Sequence, residues 1–216
     1  HGARTEARFE AGLEYGLTLA TGGQTVTTGV QADTITGNTG ADVIDAGTGT
    51  DTIDAAGAAD TVTVSTGVDT ITQSVGDSVA AGADAIADTA GVDHGDSDAI
   101  ADTDVITFAS GVDVINGFTA GTGGDVITGM TNAGAATSAI GALEDALGGG
   151  ADALLFLSGA FTAGTGAFVV DADGDGADTL IFDIDQSVSE DIDAVTGAFV
   201  LVGVDSDDLV AANFTA

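Results

Sequence analysis

Residues 37–54 read GNTGADVID followed by AGTGTDTID, two nine-residue units in the same frame. Each unit opens with glycines that allow tight turns and closes with an aspartate, a spacer, an isoleucine and another aspartate. The alternation after the aspartate has the period of a strand, and the glycines mark its corner. Working outward, aspartates recur every ninth residue at Asp33, Asp42, Asp51, Asp60 and Asp69. Two residues after each comes a branched apolar residue, Ile35, Ile44, Ile53, Val62 or Ile71. A period of nine carrying this pattern belongs to a parallel β-solenoid, with two units per coil and the apolar column turned inward.

The whole block spans residues 19–72, and its first unit carries Gln24 where the others have aspartate. Residues 1–18 form an arm that holds Arg4 and Arg8, the chain's two bases. An Ala/Asp-rich insertion follows the block at 73–103. The pattern resumes at Asp104, Asp113 and Asp125, with spacings of nine and then twelve, and this predicts a second, shorter stack of coils. The repeat region as a whole therefore runs over 19–130. Residues 131–216 read as a smaller β-rich region. Within it, Ala136, Ile140, Leu143 and Leu147 share one face of a helix over 135–147, stopped by Gly148. Apolar strand-like runs follow at 154–157, 168–170, 179–184 and 199–202, and the turn at 173–176 is expected to join the middle two as a hairpin. The expected fold class is all-β.

Charge narrows the ligand. Thirty-five acids face two bases, for a formal net charge of −33. Such a surface excludes nucleic acid as a partner and disfavours anionic membranes. No apolar stretch is long enough to span a bilayer. In a coil of 18 residues, Asp33, Asp51 and Asp69 stack in one column and Asp42 and Asp60 in another. At a strand spacing of about 4.8 Å, neighbouring carboxylates repel by about 1 kcal/mol in water and more when buried. Divalent cations between the rungs relieve that repulsion. Calcium suits them, because it takes six to eight oxygens and accepts turn carbonyls along with carboxylates. Asp104, Asp113 and Asp125 extend the candidate ligands. A separate candidate is Asp171, Asp173 and Asp175 before Gly176, the alternation of a calcium loop, although Phe182 stands where such a loop ends in glutamate.

The units at 37–54 resemble the repeats-in-toxin (RTX) nonapeptide G-G-x-G-x-D-x-U-x, in which U is apolar. Asn38 replaces the second glycine, and alanines stand in the glycine positions before Asp60. The resemblance implies a parallel β-roll that binds calcium in its turns. The stretch 113–127 is similar to segments that close such rolls. The acidic, apolar-ending stretch 203–216 is similar to the uncleaved tails of type I secretion substrates, which implies an extracellular or cell-surface location.

Catalytic vocabulary is sparse. The chain has no H-E-x-x-H, no G-x-S-x-G and no cysteine, so it reads as a non-enzyme. The expected role is a calcium-rigidified, self-assembling subunit of a bacterial surface layer or filament, with copies of itself and divalent cations as partners. The alternative is a calcium-binding secretion or folding module of a larger type I secreted exoenzyme or adhesin. Asn213-Phe214-Thr215 also forms an N-glycosylation sequon.

Overall fold

The computed structural model describes residues 6–8, 13–74, 77, 85–87, 105–108, 111–130, 136–138, 153–171, 176–184 and 195–215. Successive three-residue strands alternate between two parallel sheets. One sheet holds β2 (Gly16–Thr18), β4 (Thr34–Thr36), β6 (Thr52–Asp54), β8 (Thr70–Thr72) and β12 (Val126–Thr128). The other begins with β1 (Glu6–Arg8), β3 (Thr25–Thr27), β5 (Val43–Asp45), β7 (Thr61–Thr63) and β11 (Asp113–Asn116). The register follows the 18-residue coil. Ile35, Ile53, Ile71 and Ile127 align in one sheet, and Val26, Ile44, Val62 and Ile115 in the other.

Each strand presents its middle residue to the interior and its flanking residues to solvent, as a period of two requires. These eight aligned side chains are all 0–1% exposed. Burial of each contributes about 1.5–3 kcal/mol, and the column is what selects the register.

The insertion does not separate two stacks. β11 lies directly on β7, and β12 directly on β8, so Asp113 and Asp125 belong to a fifth coil of the same roll. Asp104 breaks the expected series. It lies outside the described residues, and the strand after it, β10 (Val105–Thr107), pairs antiparallel with β9 (Ala85–Ala87) and β15 (Ala167–Val170), away from the roll. Nine-residue spacing alone could not show that the 104 unit leaves the solenoid.

β17 (Val195–Val202) lies parallel on β11, and beyond it the second sheet turns antiparallel, through β16 (Asp178–Ile184), β14 (Ala153–Thr162), β15, β10 and β9. Its apolar runs are continuous because the layer is buried on both faces. Leu154, Phe156, Ile181, Phe199 and Leu201 join the core of the roll. Leu157, Leu180, Phe182, Ala198 and Val200 build a second core with Ile106 and Phe168.

Two local expectations change. β15 and β16 flank β14 on opposite edges, so these two strands do not pair as the expected hairpin. The expected helix over 135–147 contains β13 (Ala136–Ser138), a strand parallel to β14. The rest of that stretch lies outside the described residues. Among the described residues, helical structure is confined to two 3-10 turns at Ser206–Asp208 and Ala211–Asn213.

Candidate metal centre

The repeat aspartates fall at the corners of the coils, where each strand is about to begin. There the chain turns away from its neighbour and a backbone amide would lose its ladder carbonyl. The carboxylates supply that acceptor. Asp33 donates its amide to Asp51 Oδ1 (2.8 Å), Asp51 to Asp69 Oδ1 (2.8 Å) and Asp69 to Asp125 Oδ1 (2.7 Å). On the other edge, Asp42 donates to Asp60 Oδ1 (2.6 Å) and Asp60 to Asp113 Oδ1 (2.7 Å). Tyr15 and Gln24 donate to Asp33 Oδ1 and Asp42 Oδ1 at the first coil. Two columns result, Asp33–Asp51–Asp69–Asp125 and Asp42–Asp60–Asp113, and no member is more than 1% exposed.

The second carboxylate oxygens divide the ladder. Asp33 Oδ2 accepts from the Gly29 amide, and Asp125 Oδ2 from the Thr119 amide. Asp42 Oδ2 accepts from the Asn38 amide and from Asn38 Nδ2 (2.9 Å). Asp51, Asp60, Asp69 and Asp113 leave Oδ2 buried without a hydrogen bond. Asn38, the departure from the glycine motif, thus places a neutral donor where a cation would otherwise be needed. Gln73 is a further contributor that sequence reasoning passed over. It lies outside the aspartate period, is 6% exposed, and has no hydrogen-bond partner for its Nε2. It lies beside Asp113 closely enough to favour that carboxylate's charge, yet without hydrogen-bond geometry.

Electrostatics agree with an arrangement built for a cation. Burial pushes Asp51 up to about 6, helped by the charges of Asp69 and Asp33 and opposed by the Asp33 amide. Burial pushes Asp60 up to about 8, with Asp113, Asp42 and Asp77 adding repulsion. Asp113 rises to about 7, again chiefly by burial. Burial also raises Asp42, Asp69 and Asp125.

The fit to calcium rests on the orphaned oxygens. They are hard, anionic and paired on adjacent rungs, as Asp51 with Asp69 and Asp60 with Asp113, beside glycine-rich turns whose carbonyls can complete a shell. Among the described residues no group of three or more His, Asp or Glu side chains converges on one point. That argues against a compact site for zinc, and a site made mainly of backbone oxygens does not require such a group. The turn before Asp60 is the weakest match. Ala56 and Ala58 stand in its glycine positions and adopt φ of 63° and 101°.

The remaining candidates fare differently. Asp171 is described and partly buried, while Asp173 and Asp175 lie outside the described residues. Asp178 is engaged on both oxygens, by the amides of Gly203 (2.9 Å) and Phe161 (2.7 Å), so it ties three segments together. Asn213 is 0% exposed. Its side chain accepts from Gly121 and Val210 amides and donates to the carbonyls of Gly121 and Asp125. A sugar cannot reach it in the folded chain. The sequon is a structural clamp on the fifth coil.

A two-edged aspartate ladder in a parallel β-roll defines a calcium-binding repeat module. Residues 27–62 match the family model described as RTX calcium-binding nonapeptide repeat (4 copies). The roll is therefore an RTX-type calcium-binding repeat block. No curated protein matches the chain. Among solved structures it is similar to the solution structure of a subunit of the Azotobacter vinelandii mannuronan C5-epimerase. The identity is 17%, over 96% of this chain and 80% of that one, with a TM-score of 0.24.

Proposed function

We propose that the chain is an extracellular structural protein, a calcium-rigidified subunit that joins copies of itself in a bacterial surface layer or filament. The observation that carries this reading is the unequal finish of the two ends of the roll. At the far end, β12 is closed by a bridge from Phe214 to Ile127, with the Thr215 amide donating to the Ile127 carbonyl at 2.9 Å. The other sheet is prolonged there into the antiparallel layer. At the near end, β1 and β2 are edge strands with no described neighbour on their outer sides. Such edges carry unpaired amides and carbonyls, a ready template for pairing with another chain. Calcium between the inner rungs, Asp51 with Asp69 and Asp60 with Asp113, would stiffen the roll that carries this open end.

Electron microscopy of the purified protein in millimolar calcium, and again after chelation, tests the reading. Ordered sheets or filaments that dissolve on chelation are expected. Dispersed particles under both conditions would overturn it. A second reading uses the same edges: a further coil of a longer polypeptide would stack there, making this chain the calcium-binding folding module of a secreted exoenzyme or adhesin. A native mass well above 20.7 kDa for the covalent chain would favour that reading.

A further inference from the structure

The sheet formed by β2, β4, β6, β8 and β12 has an outward face unlike the rest of the molecule. Its register places Thr34, Thr52 and Thr70 in one row along the roll, with Gly16 and Val126 at its two ends. Thr18, Thr36, Thr72 and Thr128 lie in the second row, interrupted once by Asp54. All of these side chains are exposed or half-buried, and nothing among the described residues covers them. The spacing is about 4.8 Å between rungs and about 6.6 Å between rows, so the hydroxyls and methyls form a two-dimensional lattice. Thr72 and Thr128 show how closely the rungs approach, with hydroxyls 3.2 Å apart. Threonine is stiff at χ1, and the strands are pinned by a column of buried isoleucines, so the lattice is ordered before anything binds.

Charge and chemistry choose the occupant. On a chain of net charge −33 this face carries one acid, Asp54, whose Oδ1 is turned back to the Ala56 amide at 3.1 Å. A neutral, regular ligand is therefore favoured over any ion or polyelectrolyte. No aromatic residue stands at an outward position of these five strands, so the stacking platform that sugars use is missing. The opposite sheet lacks the pattern, because Val43 and Asp45 break its threonine rows.

We propose that this threonine face is an ice-binding surface, its hydroxyls holding a sheet of ordered water whose repeat resembles planes of the ice lattice and its methyls limiting the alternatives that water can adopt. The proposal is independent of self-assembly, since the lattice lies on the flank of the roll and the joint at its end.

The test is freezing hysteresis and ice-crystal habit of the calcium-saturated full chain. Circular dichroism in calcium establishes that each protein is folded. The folded wild type is expected to shape crystals and to separate freezing from melting. Thr52→Tyr, at the centre of the face, should abolish both effects, and Thr34→Lys should do the same by placing a charge on the lattice. Thr61→Tyr, on the opposite sheet, should retain them. Absence of any effect from the folded wild type overturns the proposal, as does equal loss in Thr61→Tyr. A dimer in sedimentation that Thr52→Tyr disrupts would instead assign the face to a second copy. Thr52-dependent retention on an insoluble neutral polysaccharide would assign it to a sugar, and either result overturns the proposal.

Discussion

At the scale of single residues, Asp51, Asp60, Asp69 and Asp113 each have two separable tasks. One oxygen accepts the amide of the preceding coil, and the other is left without a hydrogen bond, open to a cation. Asp51 allows them to be separated. Asp51→Ala leaves the Asp33 amide buried and unpaired, and is expected to cost about 1–3 kcal/mol with or without calcium. Asp51→Asn keeps an acceptor for that amide and removes a repelling charge. Its ion-free fold should therefore be at least as stable as the wild type, while its stabilisation by calcium falls. Denaturant titrations in chelator and in calcium read both quantities, and equal behaviour of the two variants would refute the division. Backbone strain gives a second expectation. Ala58 holds φ of 101°, a region that side chains disfavour by about 1–3 kcal/mol. Ala58→Gly should raise the melting temperature, although glycine ordinarily loosens a fold.

The ladder as an element responds to pH in a direction set by its raised carboxyls. In the unfolded chain Asp60 ionises at about 3.9, and in the ion-free roll at about 8. Stability of the ion-free roll is therefore fully present below about pH 4 and is lost as pH rises toward 8, with Asp113 and Asp51 adding losses that end near 7 and 6. Calcium needs the ionised form, so its affinity should rise over the same interval. Thermal melts followed by circular dichroism at pH 4, 6 and 8, in chelator and in calcium, should show opposite trends. A chelated protein that gains stability from pH 4 to 8 would contradict the burial-driven shifts. Much of this element was legible in the sequence, because a strict period of nine fixes which residues stack. The column of Asp33, Asp51 and Asp69 followed from arithmetic alone. The fate of the 104 unit did not, since Val105–Thr107 has the same local pattern as a roll strand and only the antiparallel partners distinguish it. Gln73 and Asn213 were equally silent, because each acts through contacts between segments far apart in the chain.

Across the whole molecule, 35 acids against two bases make compactness conditional. An ion that binds only the folded roll stabilises it by mass action. Small-angle scattering should therefore show an expanded chain in chelator at neutral pH contracting when calcium is added. An unchanged radius of gyration would show that the apolar columns suffice alone. The looped-out insertion adds a cost of its own: closing the coil across Asp60 and Asp113 spans 53 residues, where the coils before it span 18. The longer closure costs about 1 kcal/mol more. The amide-to-carboxylate ladder also has a single direction, every rung donating toward the fifth coil. The roll is thus a vector, with a head and a tail that differ in chemistry. Copies added along that axis would meet head to tail, the open near end of one against the closed far end of the next, an arrangement with no two-fold symmetry. An array grown this way would carry polarity, and its two tips would lengthen at different rates.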